Sequence, residues 1–101
     1  MYFVVFATDK PGTESLRSET RPAHREYLRS PGKHAVTVRV AGPTLRDDAV
    51  TMNGSLLIVE AENLDAVRAF AADDPYSRAG LFQTVEIRPW TWGLNNPPSQ
   101  V

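Results

Sequence analysis

The chain opens on an unbroken apolar run, Tyr2 to Ala7, rich in aromatic and β-branched residues. Its length and composition predict a central strand buried on both faces. Asp9-Lys10-Pro11-Gly12 ends it with turn residues. Between Thr13 and Ser30, the positions Leu16, Thr20, Ala23 with His24, Tyr27 and Leu28 recur at steps of three and four. That is the spacing of a helix with one apolar face. Pro22 interrupts it, because proline lacks an amide donor and crowds the preceding turn. A kink would satisfy the pattern, as would a helix beginning near Thr20 with Pro22 in its first turn. The reading favoured is a loose first segment and a firm helix over about 21–29, closed by Ser30-Pro31-Gly32.

The next stretch changes period. From His34 to Gly42, Ala35, Thr37 and Arg39 alternate with Val36, Val38 and Val40, which predicts a strand with one wetter face. Gly42-Pro43 ends it, and Thr44 to Asn53 reads as a polar loop turning at Asn53-Gly54. Ser55 to Ala61 is a second apolar strand, the hairpin partner of the one before. Asn63 then caps a helix to Ala72 whose apolar stripe is Leu64, Val67, Ala69 with Phe70, and Ala71. Asp73-Asp74-Pro75 stops that helix. A last strand runs from Gln83 to Trp90, with Val85 and Ile87 inward. Residues 93–101, rich in proline and polar side chains, read as a loose tail beyond a single domain over 1–92.

The order β-α-β-β-α-β predicts an α+β, ferredoxin-like fold: an antiparallel sheet carrying two helices on one face. The other face then needs a cover that no remaining segment supplies. A second subunit is the natural candidate.

Composition narrows the function classes. A chain of 101 residues is one small domain with a thin core. Its formal net charge is -1 with both signs mixed, which lacks the basic stripe of a nucleic-acid binder. Cysteine is absent, so there is no disulfide framework, no thiolate nucleophile and no cysteine metal site. Two histidines without cysteine, at a spacing that matches no zinc pattern, give no expectation of metal. Neither Pro11-Gly12 nor Ala79-Gly80 is a nucleotide-binding glycine loop, so no cofactor is expected. The N-terminal apolar run lacks a preceding basic region and is too short to span a bilayer. A cytoplasmic protein without membrane association is the expectation.

Several motifs together are familiar: Arg21-x-x-His24-x-x-x-Leu28, Ala41-Gly42-Pro43, and Gly54-Ser55-Leu56-Leu57-Ile58-Val59-Glu60-Ala61. Farther on come Asp73-Asp74-Pro75-Tyr76, Ala79-Gly80-Leu81-Phe82 and Val85-Glu86-Ile87-Arg88-Pro89-Trp90. The chain resembles the YciI-like (YCII-related) family over residues 1 to about 92. The resemblance implies a dimeric α+β barrel of ferredoxin-like subunits, each with a His–Asp pair proposed as catalytic. Carried over by motif, the pair is His24 and Asp74. One branch of that family removes HCl from a chlorinated hydroxyquinol, and most members have no assigned reaction. Pro22 within the first motif, the extra acid Asp73 and the additional His34 depart from the pattern.

The chemistry of such a pair is general acid–base catalysis. A histidine titrates near neutral pH, and a carboxylate bonded to one ring nitrogen fixes its tautomer and steadies the imidazolium. Read without the resemblance, Asp74 before proline is a helix stop and His24 a packed histidine. Arg21, three positions before His24, could clamp an anionic substrate group or form a surface ion pair. Ser55 could orient a substrate oxygen or simply follow a turn. Tyr76 could line the pocket or plug the space after Pro75. The expected function is a cofactor-free enzyme performing elimination, dehydrohalogenation or isomerisation on a small organic molecule. The alternative is a non-catalytic, small-molecule-binding or regulatory dimer.

Overall fold

The computed structural model describes residues 1–97; positions 98–101 of the expected tail lie outside the described residues. The elements follow as β1 (Tyr2–Asp9), α1 (Glu14–Arg29), β2 (Thr37–Leu45), β3 (Met52–Glu60), α2 (Leu64–Asp73), α3 (Pro75–Arg78) and β4 (Phe82–Trp90). The strands form one sheet in the order β2-β3-β1-β4, and every pairing is antiparallel. This is the α+β, ferredoxin-like arrangement that the alternating pattern predicts.

One face of the sheet carries the core. Phe3 and Val5 of β1 and Leu57 and Val59 of β3 meet Val67 and Phe70 of α2 in a buried cluster, with Tyr27 and Leu28 of α1 packed against it. Both long helices therefore lie on the same face. The α2 cap is as expected: Asn63 Oδ1 accepts the Ala66 amide at 2.8 Å.

The opposite face is open. Val4 and Phe6 of β1 stand opposite Ile58 and Leu56 of β3, and Val40 of β2 stands opposite Ile58. Phe6 is 44% exposed and Val40 42%. The apolar run at the N-terminus is thus central, but within one chain it is buried only through Phe3, Val5 and Ala7.

The local chemistry corrects four readings. First, α1 is continuous from Glu14 to Arg29 with Pro22 inside it. The proline faces water, as does Ser18 one turn earlier, so solvent can serve the carbonyl that lost its donor. Second, the register of β2 shifts between Val38 and Val40. This bulge at Arg39 moves Val40 off the face shared by Val36 and Val38 and onto the open face. Third, Gly42-Pro43 does not end β2, which runs to Leu45. The strand lies at the sheet edge, where proline is tolerated. Fourth, Asn53-Gly54 is not the turn. Gly54 lies inside β3, where any side chain would overlap the Ala7 carbonyl oxygen and Thr44 Oγ1. A glycine demanded by close backbone approach carries the same sequence signature as a turn glycine.

Inward-facing Val85 of β4 lies opposite Ala7 yet is 41% exposed, because β4 is an edge strand. No helix among the described residues is long and apolar enough to cross a membrane.

Candidate functional site

The short helix α3 explains the Asp74-Pro75-Tyr76 sequence. Asp74 is its N-cap, with Oδ1 accepting the Tyr76 amide at 2.9 Å, and Pro75 occupies the first turn. Aspartate suits a cap, and proline's fixed φ suits the position after it. The cap bond aims the carboxylate into the protein, where Asp74 is only 3% exposed. There it meets His24 of α1. His24 Nδ1–H donates to Asp74 Oδ1 at 2.8 Å and approaches Oδ2 at 3.0 Å. A carboxylate that only accepts puts the hydrogen on Nδ1, and in the neutral ring that leaves the Nε2 lone pair free. Nε2 has no protein partner among the described residues, yet no buried side-chain nitrogen or oxygen is left unpaired there. It therefore opens onto the cavity that the His24 ring lines.

That cavity, of about 630 Å³, lies between α1 and β2. Arg21, His24, Ser55 and Tyr76 all contribute to its walls, whereas Asp74 stands behind His24. The Tyr76 ring stacks on the His24 ring at 3.9 Å between centroids and 19° between planes. Burial raises the Tyr76 phenol pKa, partly opposed by Arg17 and Arg21, so the ring is a neutral wall at neutral pH. Ser55, placed by the strand position next to Gly54, offers its hydroxyl to an arginine.

That arginine is Arg17, which sequence reasoning missed together with Asp9. Arg17 Nε and Nη2 donate to the two oxygens of Asp9 at 2.7 and 3.0 Å. Nη2 also donates to Ser55 Oγ at 2.8 Å. Its guanidinium lies 4.6 Å from the Tyr76 ring centroid. Arg17, Tyr76 and His24 thus form a stacked column braced by Asp9. The signal was present: a charged residue at helical spacing with Arg21, His24 and Leu28 sits on the inner face of α1. A buried arginine requires a bidentate partner nearby.

A second histidine–aspartate pair stands beside the first. His34 Nε2–H donates to Asp73 Oδ2 at 2.8 Å, with Arg78 at 3.3 Å and Lys33 at 3.9 Å from the same carboxylate group. The bond from His34 is the main cause that lowers the Asp73 pKa. His34 is absent from the cavity walls. Among the described residues, no group of three or more His, Cys, Asp or Glu side chains gathers as a metal site.

With Nδ1 anchored and Nε2 open to the cavity, His24 can take a proton from a bound hydroxyl and return it. The family model of the YCII-related domain matches residues 1–91. Protein YciI of Escherichia coli O6:H1 is 34% identical over 98 residues, covering 89% of this chain and 96% of that protein. An uncharacterized protein of Haemophilus influenzae is 32% identical over 94 residues, with the same coverage. Among solved structures, 5-chloro-2-hydroxyhydroquinone dehydrochlorinase (TftG) of Burkholderia phenoliruptrix AC1100, in complex with 2,5-dihydroxybenzoquinone, is 38% identical. It superposes with a TM-score of 0.79 over 96% of this chain and 100% of its own.

Proposed function

The chain belongs to the YCII-related family, and on that premise we propose that it is a small-molecule enzyme in which His24 is the general acid–base and Asp74 holds its tautomer. The observation that carries this reading is the Nδ1–carboxylate bond at 2.8 Å on one side of a ring whose other side faces a cavity. The related dehydrochlorinase supports hydroxylated rings as the substrate class and loss of hydrogen chloride as the reaction type. In such a step Nε2 takes a hydroxyl proton and delivers it to the ring carbon bearing chlorine. Chloride leaves with the carbon–chlorine electron pair, and a second hydroxyl proton departs to solvent. Two hydroxyls become carbonyls, and no outside oxidant is needed. Arg21, Ser55 and Tyr76 serve as substrate-binding walls, and Arg17, held by Asp9, positions Ser55 and Tyr76.

Chloride release from 5-chloro-2-hydroxyhydroquinone tests this directly. Turnover that is lost in His24→Gln and Asp74→Asn is the expected result. No turnover in the wild type, with ligand-induced stabilisation that survives His24→Ala, would favour the non-catalytic binding module instead.

The open face of the sheet supports a homodimer. Phe6, Val40, Val4, Leu56 and Ile58 form an apolar surface that a second copy would cover. Sedimentation should give a dimer for the wild type and a monomer for Phe6→Glu. A monomeric wild type at micromolar concentration would overturn the dimer.

A further inference from the structure

The arginines of the chain divide into two groups. Arg17, Arg39, Arg46, Arg68, Arg78 and Arg88 each reach a carboxylate. Arg21, Arg25 and Arg29 reach none among the described residues. These three are spaced by four along α1, so they share one face of the helix, and all three are walls of the cavity that holds His24. By helix rise they form a ladder roughly 12 Å long. Arg21 stands one turn before His24, and Arg25 and Arg29 continue along α1 toward Pro31, which also lines the cavity. The cavity walls include no aspartate or glutamate. Opposite the ladder run apolar and backbone groups of β2, including Val38, Ala41 and Pro43.

A row of guanidinium groups along an acid-free cavity that also holds the His24 imidazole is complementary to one kind of ligand. Resting on the acid–base reading of the same cavity, we propose that the substrate is a planar ring compound carrying a fixed anionic substituent of the carboxylate type. The ring lies with its reacting edge at His24 Nε2, and the anionic group points along α1 to Arg25 and Arg29. Guanidinium matches carboxylate through paired, charge-assisted hydrogen bonds. Apolar walls lower the local dielectric and strengthen such bonds relative to water. Arg21 is half-buried while Arg25 and Arg29 are exposed, so the inner rung grips the reacting end and the outer rungs select and steer the anion. The ladder separates two properties that the His24–Asp74 pair alone cannot: what the enzyme does to a ring, and which rings it admits.

The test is calorimetric titration of the full chain with three probes of one ring geometry: hydroquinone, 2,5-dihydroxybenzoate and 2,5-dihydroxyterephthalate. Affinity should rise about tenfold with the first carboxylate and further with the second. The rise should shrink between low and high salt, because the outer rungs are solvent-exposed. In the double variant R25Q/R29Q, which alters only exposed side chains, the step between hydroquinone and the carboxylates should collapse. Equal affinity for all three probes, absence of binding by all three, or a carboxylate preference that persists in R25Q/R29Q would each overturn the proposal. His24→Gln keeps the two readings apart. A carboxylate preference retained in that variant, together with no turnover by the wild type, sinks the acid–base role and leaves the ladder standing. Turnover of neutral hydroxylated rings with no carboxylate preference does the reverse.

Discussion

Asp73 and Asp74 are neighbours in the chain, and each holds a histidine at 2.8 Å, yet the two pairs are built differently. Asp74 is buried, capped into α3 by the Tyr76 amide, and its histidine faces a cavity. Asp73 sits at the last residue of α2 with its side chain 32% exposed, shared between His34, Arg78 and Lys33. His34 packs edge-on against Tyr27 and Phe70. It fastens the segment between α1 and β2 onto the end of α2. The same two residue types make a candidate acid–base pair in one place and a tether in the other. What differs is that the His24 ring lines the cavity and the His34 ring does not.

Turnover should split the pairs most sharply. His24→Gln should lower kcat by about 10²–10⁴-fold, the usual contribution of a positioned acid–base group, while His34→Gln leaves kcat unchanged. Steady-state kinetics on any accepted substrate checks this, and equal losses in both variants would erase the distinction. Asp74→Asn should also redistribute the His24 tautomers seen by nitrogen NMR, because an amide can donate to Nδ1 as well as accept from it. Asp73→Asn should leave the His24 ring signals in place.

Stability should separate buried ionic contacts from exposed ones. Arg17 and Asp9 have side chains only 5% and 6% exposed. Arg17→Met strands a buried carboxylate and should cost about 3–5 kcal/mol in urea unfolding. Arg78→Met removes an exposed contact and should cost under about 1 kcal/mol. Gly54→Ala should fall between, at about 1–3 kcal/mol, because the new methyl group meets fixed backbone at Ala7 rather than a movable side chain.

Much of the fold was legible because period and punctuation agreed. The alternation around Val38, the stripe from Leu64 to Phe70 and the Asn63 cap each had one structural solution. The failures came where a residue type serves two ends. Gly54 signals a turn or a close approach, and only the neighbouring strand decides which. Pro22 signals a helix break, but its exposure on α1 makes the lost bond cheap to replace with water. The bulge at Arg39 is invisible to a count of alternating residues, so Val40 was assigned to the wrong face. At the candidate site, His24 and Asp74 were legible through the motif and not through spacing, since their contact spans fifty positions. Arg17 and Asp9 were missed because each has an ordinary local role, a helix-face cation and a turn acid. Only the fold makes them partners.

The smallest expected effect concerns the tether. The bond from His34 holds the Asp73 carboxyl below the usual carboxylate range, so the unfolded chain takes up that proton more readily than the folded one. The tether's contribution is therefore complete above the ordinary carboxylate pKa of about 4 and is lost as pH falls below it. Asp73→Asn should destabilise the protein slightly at neutral pH and flatten the fall in stability as pH drops below about 4. Thermal melts across that window would report it. Parallel wild-type and Asp73→Asn curves would mean that His34 packs through its ring alone, and the comparison between the two pairs would rest on His24 without a charged counterpart beside it.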